Sequence, residues 1–291
     1  MKEEMNSNIR LEGLNLIARG GQADIYEFAE GKVLRVGRRP QDNERIRYEY
    51  TVYLSLAGKD VIVPKAFDLV EAGGLSAFIM ERLTGPSMMD LIKANPLSAR
   101  TKARQLAELH LRIGNIEAPE QVTDVKAKAR FCIGKSDALS EAEKEKIMTL
   151  LKILPEGSSL CHGDFHPGNI MVQDGKNYII DWSAASRGDF HADIAHSYIL
   201  MRVVPKVPHM SSIMHFFQKR IGRAIASTYL SNVARQRRID YRNLSRWMLI
   251  NAAERTYHGM RSEKEDLLVF IKRYLNVLDH GGKEGALYQA M

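Results

Sequence analysis

Apolar and polar positions follow two different periods along this chain, and the change between them falls near residue 84. Residues 10–37 read as strand, turn, strand, turn, strand, with the turns at Gly20-Gly21 and Glu30-Gly31. The two clearest strands there are Asp24 to Phe28 and Lys32 to Val36. Residues 42–57 switch to helical spacing, with Tyr48, Val52, Leu54 and Leu56 among the apolar positions. Val61 to Val70 predicts a further strand region. Ser76 to Leu83 predicts another strand, which ends at the breaker cluster Thr84-Gly85-Pro86.

Beyond that cluster the helical period dominates. Met88 to Ala94 predicts one helix, and Ser98 to Ile113 a longer one with Gly114 as its stop just past the end. His110 near its end reads as a packing residue. Residues 116–158 read as a helical insert; Ser140 and Glu143 form a capping box, and Pro155 stops the helix that follows. Residues 211–278 give about three helices, with Trp247, Leu249 and Ile250 on a buried face. Pattern alone therefore supports a strand-rich first part and a helix-rich second part, an α+β chain.

One short unit interrupts the helical half. Ser159-Leu160-Cys161 leads into His162-Gly163-Asp164-Phe165-His166-Pro167-Gly168-Asn169, and Ile170-Met171-Val172 and Tyr178-Ile179-Ile180 form a hairpin about Asp174-Gly175. Asn169 thus precedes one strand and Asp181 follows the other, so both fall at the same end of the hairpin. An Asp, an Asn five residues on and a second Asp twelve beyond that are what phosphoryl transfer from a magnesium nucleotide requires. One carboxylate takes the proton of an attacking hydroxyl. A carboxamide and a second carboxylate offer hard oxygens to one cation. A polar turn before an ordinary hairpin would explain H-G-D alone, but not all these features in this order.

Composition narrows the setting. There is no run of about eighteen apolar residues to span a bilayer, and the charged start Met1-Lys2-Glu3-Glu4-Met5 has no apolar core of a secretory signal. Cys132 and Cys161 are too few for a disulfide framework, and no Cys/His cluster has zinc spacing. The expectation is a cytoplasmic protein with no membrane and no nucleic-acid partner; the sequence does not give its oligomeric state. Of the formal net charge of +7, residues 202–291 alone carry +9, so the remainder is slightly acidic. These charges are spread along amphipathic helices, which favours a solvated basic face over a nucleic-acid patch.

H-G-D-x-H-x-x-N followed by I-I-D-W resembles the aminoglycoside phosphotransferase and choline kinase family, the small-molecule branch of the protein-kinase-like fold, over residues 10 to 280 or so. The resemblance implies a bilobal α+β fold: an antiparallel sheet with one main helix in residues 1–83, and a mostly helical catalytic and substrate lobe in residues 84–291, with a hinge about 81–86. It implies Asp164 as catalytic base, Asn169 and Asp181 as ligands of Mg2+, and ATP or GTP as phosphoryl donor. Asp193 would brace the catalytic loop through backbone hydrogen bonds. His166 stands where protein kinases place a Lys near the transferred phosphate; it takes that role or orders the loop.

The same resemblance assigns the nucleotide site. Gly20 and Gly21 would let backbone amides approach a phosphate without Cβ obstruction. Ile25, Val33 and Met80 would form the adenine slot, and the backbone of Glu81 and Leu83 would bond its edge. The cation on the third strand is Arg35 instead of the usual Lys, a planar fork in place of a point charge. Glu49 is its expected ion-pair partner, with Glu44 as the fallback.

Only twelve positions separate Asp181 from Asp193, too few for the peptide-docking segment of a protein kinase. A small hydroxyl-bearing acceptor is therefore expected. The basic second half disfavours a polycationic antibiotic, and choline would need an aromatic cage around Trp182, Tyr198 or Trp247. A neutral or anionic alcohol fits the charge better. The competing readings are a nucleotide-binding pseudokinase, to which Arg35 would point, and an atypical protein kinase.

Overall fold

The structure, a computed structural model, describes residues 8–204, 210–259 and 261–290. Residues 1–7, which include the charged N-terminal start, lie outside the described residues. In chain order the strands are β1 (Asn8–Ile9), β2 (Leu16–Arg19), β3 (Ala23–Ala29), β4 (Lys32–Gly37), β5 (Ala66–Ala72), β6 (Leu75–Glu81), β7 (Ser159–Cys161), β8 (Ile170–Gln173), β9 (Lys176–Ile179) and β10 (Ser186–Gly188). The helices are α1 (Asn43–Ser55), α2 (Met88–Ala94), α3 (Ala99–Gly114), α4 (Val125–Lys135), α5 (Glu141–Ile153), α6 (Phe190–Arg202), α7 (Ser212–Gln236), α8 (Tyr241–His258) and α9 (Arg261–Asp279). They group into two compact units. One runs to Met88 and takes in Gly168–Ala185; the other holds Met89–Pro167 and Ser186–Met291.

The first unit is built on a six-stranded sheet in the order β1-β5-β6-β4-β3-β2. Its neighbours pair antiparallel except the short edge strand β1, which runs parallel to β5. Gly73 and Gly74 both take positive φ, and close the two-residue turn between β5 and β6 that L side chains would strain. Strand alternation sorts the side chains between faces. Leu34, Val36, Val70, Ala72, Ala77 and Ile79 bury one face into an apolar cluster. On the other, α1 lays Tyr50 and Tyr53 against Phe78, each with ring centroids 5.8 Å apart. The expected strand at Val61–Val70 begins only at Ala66. Pro64 has no N–H for a ladder, and the stretch before Ala66 instead presents the Ile62 carbonyl to Ile179 N–H at 2.8 Å.

The hairpin β8–β9 belongs to this unit and turns at Asp174 (φ 51°) and Gly175 (φ 72°), as the Asp-Gly signal predicts. Its free side meets the segment after β6: Val172 N–H donates to the Pro86 carbonyl at 2.9 Å, and Gln173 Oε1 accepts from Thr84 N–H at 2.7 Å. Gly85 lies so close that an added Cβ would run into the Val172 carbonyl. Gly85→Ala is expected to cost about 1–3 kcal/mol through this overpacking. A urea midpoint equal to wild type would show that the approach is not needed.

The second unit is helical around α8. Leu244, Trp247, Met248, Leu249 and Ile250 are all fully buried, and α8 packs on α4, α5, α6 and α9. A helix apolar on every side needs partners all round. The predicted capping box forms, with Ser140 Oγ accepting from Glu143 N–H at 3.3 Å and Glu143 Oε2 from Ser140 N–H at 2.8 Å. Gly114 is not a stop past the end of α3 but its last residue; Asn115 is the cap. Its missing side chain serves packing, since a Cβ there would collide with the Phe190 ring. Strands β7 and β10 pair antiparallel and flank the start of α6.

Candidate active site

In the first unit, register brings the expected nucleotide residues onto one face. Val33 lies opposite Met80, and Arg35 opposite both Ile25 and Phe78. The alternation of β4 then points Arg35 the same way as Val33. Arg35 Nε donates to Glu49 Oε2 at 2.8 Å, while its Nη2 donates to Asp181 Oδ1 at 3.1 Å. Glu49 on α1 is fully buried, so the expected ion pair forms with it and not with the fallback Glu44. Burial pushes the Glu49 carboxyl up and the Arg35 charge opposes this. Burial would likewise lower Arg35, but the two carboxylates more than offset it and keep the guanidinium charged. A single ammonium could not span both carboxylates along two fixed directions.

Asp181 is held as firmly as its partner. Its φ is +62°, a left-handed conformation that Asp tolerates better than most residues. Its N–H donates to Tyr53 Oη at 3.1 Å, and Ser183 Oγ donates to Oδ1 at 2.9 Å. Asn169, at the other strand end, accepts from Ile180 N–H through its backbone carbonyl at 3.0 Å. Hairpin pairing of Ile170 with Ile179 places the two residues at one end. A carboxamide and a carboxylate are hard oxygen donors, which suit Mg2+ and not a soft metal. Gly20 and Gly21 sit at the tip between β2 and β3, where Gly20 N–H donates to the Ala23 carbonyl at 2.9 Å. Glu81 ends β6, and its N–H donates to the Lys65 carbonyl at 2.8 Å; Leu83 follows the strand.

In the second unit, the loop after β7 is braced from α6. Asp193, in the first turn of α6, accepts from His162 N–H at 2.6 Å and Gly163 N–H at 2.9 Å. His110 Nε2 completes the carboxylate at 2.8 Å, and the Tyr229 hydroxyl meets His110 Nδ1 at 2.5 Å. Gly163 has φ +76°, so the turn into Asp164 favours glycine. Burial would raise the Asp193 carboxyl, but His110, His162 and the backbone donors hold it well below its ordinary value. Asp164 N–H donates to His162 Nδ1 at 3.2 Å, and His166 Nε2 lies 3.7 Å from Asp164 Oδ2. Burial acts to raise Asp164 as well, and His166, His162 and His196 overcome it, leaving a carboxyl at about 2. Burial pushes His196 down to about 4, with Arg255 adding to the effect. Of the three histidines, His166 has the largest part in holding the Asp164 carboxyl down.

Sequence reasoning placed these acids but missed what aims them. Tyr53, Tyr229 and His196 carry no motif, and only the fold brings them to Asp181, to His110 behind Asp193, and to Asp164; His162 opens the H-G-D motif, but its bond to the Asp164 N–H was not foreseen. His110, read as a packing residue, does pack, fully buried, and orients Asp193 as well. The proposed aromatic cage has no basis: Trp182 and Trp247 are fully buried and Tyr198 nearly so. Trp182 Nε1 donates to the Ile179 carbonyl, and Trp247 Nε1 to Asp189 Oδ2. Cys132 comes within 4.8 Å of Glu254 and His258, which stand one turn apart on α8. Lys128 Nζ stands 3.3 Å from Glu254 Oε1, which reads as charge compensation in a helical core.

A sheet carrying a buried Arg–Glu pair, and a helical unit with an Asp loop braced from the next helix, define a protein-kinase-like phosphotransferase fold. The profile of the phosphotransferase enzyme family, APH, matches residues 14–209, more than half of the chain. The chain belongs to that family. No curated protein matches the sequence. Among solved structures, it resembles a thermostable mutant of aminoglycoside phosphotransferase APH(4)-Ia in complex with ADP and hygromycin B. The TM-score is 0.61 at 17% identity, covering 90% of this chain and 91% of that one. Amicoumacin kinase hAmiN in complex with AMP-PNP, Ca2+ and Ami gives 0.59 at 14% identity, over 98% and 93% of the two chains. The streptomycin-ATP-APH(2")-IIa ternary complex gives 0.54 at 17%, over 90% and 89%. At these identities the likeness establishes the fold.

Proposed function

We propose that the protein transfers the γ-phosphoryl group of ATP or GTP to a hydroxyl of a small molecule. The observation that carries this reading is the Arg35 fork, which fixes Glu49 and Asp181 at once. Asp164 orients the acceptor hydroxyl and takes its proton. A carboxyl held at about 2 is ionised throughout the neutral range, as a group that is to take a proton must be. Asn169 and Asp181 hold Mg2+, which supplies charge neutralisation at the phosphates. Arg35 directs the nucleotide phosphates, and Gly20-Gly21 covers them. Ile25, Val33 and Met80 line the base. Because the Glu81 N–H is already engaged, the base edge meets the Glu81 carbonyl and the Leu83 backbone. The contact of His166 with Asp164 supports the loop-ordering role over direct phosphate contact.

Solved relatives in fold are complexes with ADP, ATP or AMP-PNP and a small molecule, which supports a nucleotide donor and a small acceptor. The basic second half supports a neutral or anionic acceptor over a polycation. With the three aromatics buried, nothing supports choline. The deciding experiment mixes the protein, Mg2+ and ATP or GTP with a metabolite extract, and in parallel with an aminoglycoside set, with Asp164→Ala as control. One metabolite gaining a phosphoryl group only with the intact protein is the expected result. Phosphorylation of an aminoglycoside would overturn the acceptor assignment, and no product with any acceptor would overturn the activity.

Arg35→Lys tests the fork. A lysine reaches one carboxylate at a time, so the KM for nucleotide is expected to rise roughly tenfold, the worth of about one charge-assisted hydrogen bond. Unchanged KM would show that charge alone matters at this position.

A further inference from the structure

The charge asymmetry has a sharper form than a basic second half. From Ile194 to Ile239, 46 residues contain no Asp or Glu and eight Lys or Arg. Within that stretch, the first turns of α7 leave large apolar side chains in water. Ile213 is 71% exposed, Met214 55%, Phe216 57% and Phe217 56%. Four such residues within five positions exceed the scattered exposed apolar residues of an ordinary surface.

The geometry of α7 puts them on the same side as its cations. At about 100° per residue, Ile213, Phe216, Phe217, Arg220 and Arg223 share a sector of roughly 120°. Gly222, Ile225, Ala226, Tyr229 and Val233 point the opposite way and are buried in the unit. The Arg220 guanidinium lies 5.8 Å from the Phe216 ring centroid. Lys219, off this stripe, pairs with Asp266 of α9 at 2.7 Å. Apolar side chains at one end of an outward stripe, with arginines directly following, are what an interfacial helix requires: the former enter the acyl boundary and the latter stay with lipid phosphates.

We propose that the N-terminal part of α7 docks the protein on an anionic lipid surface, with Ile213, Phe216 and Phe217 inserted and Arg220 and Arg223 on the headgroups. This revises the expectation of no membrane partner, and it involves no spanning segment; among the described residues no helix is long and apolar enough to cross a membrane. Lipid is favoured over nucleic acid because Ile213 and Met214 offer no stacking plane and gain free energy only from an apolar phase. The inference is independent of the phosphotransfer reading.

Sedimentation of the full chain with vesicles tests it. Neutral phosphatidylcholine vesicles are compared with ones carrying about 30% phosphatidylserine, enough to set a negative surface potential. Binding is expected to the anionic vesicles and to weaken with added salt. Phe216→Ser with Phe217→Ser, and separately Arg220→Glu with Arg223→Glu, are each expected to lower the partition coefficient roughly tenfold or more. Because all four side chains are exposed, both variants keep the wild-type melting profile. No binding to anionic vesicles, or binding that neither variant weakens, overturns the proposal. So does a dimer in solution that the Phe pair abolishes, since the face then belongs to a second copy of this chain.

Discussion

Asp164→Asn is expected to lower kcat by a factor of about 10²–10⁴, the usual contribution of a positioned general base, while nucleotide affinity stays within about twofold of wild type. The carboxamide keeps the volume of the carboxylate and can still accept one hydrogen bond, but it cannot take a proton. Folding survives because the brace on this loop is built from the backbone of His162 and Gly163, not from Asp164. Single-turnover rates and nucleotide titrations on the same preparation separate the two effects. Normal turnover would remove Asp164 from the chemistry. A parallel loss of nucleotide affinity would mean that the variant had disturbed the loop.

Asp193→Ala is expected to have the largest effect on stability. The carboxylate is buried and serves two backbone N–H groups and His110 at once. Removing it leaves these donors without a partner in a dry site, a loss of about 3–5 kcal/mol. At about 2–4 °C per kcal/mol for a chain of this size, the melting temperature falls by roughly 10 °C. The pH dependence gives an independent check. The folded carboxyl is held below its ordinary value of 3.8, so its contribution is complete above that value. It is lost as pH falls below 3.8 towards the folded value, because the unfolded chain then binds the proton first. Acid unfolding of Asp193→Asn should therefore be shallower in that window than that of wild type. An unchanged melting temperature for Asp193→Ala would mean that the loop finds other acceptors.

The two variants probe different levels of one loop, and the sequence showed them unequally. The pattern of period two and then 3.6 marked a strand-rich part and a helix-rich part. It also marked the Asp-Gly hairpin and the capping box, because each rests on contacts between residues close in the chain. It misjudged Val61–Val70, where Pro64 denies a ladder donor, and Gly114, where glycine answers to the Phe190 ring and not to a helix end. The first is a local effect of the proline ring, legible in the sequence but outweighed in the strand reading by its apolar neighbours; the second is a decision of packing between distant segments.

At the candidate site the division is the same. Sequence by itself determined the chemical types: Asp164, Asn169 and Asp181 at fixed spacing, and Arg35 where a lysine was the usual residue. Only tertiary structure decided that Arg35 reaches across 146 positions to Asp181 while holding Glu49, and that His110 and Tyr229 stand behind Asp193. It also put Trp182 and Trp247 in the core, and the apolar and basic positions of α7 on one outward stripe. Local spacing fixes which groups the backbone presents. Which of them meet, and which face water, depends on burial that no short stretch of sequence contains.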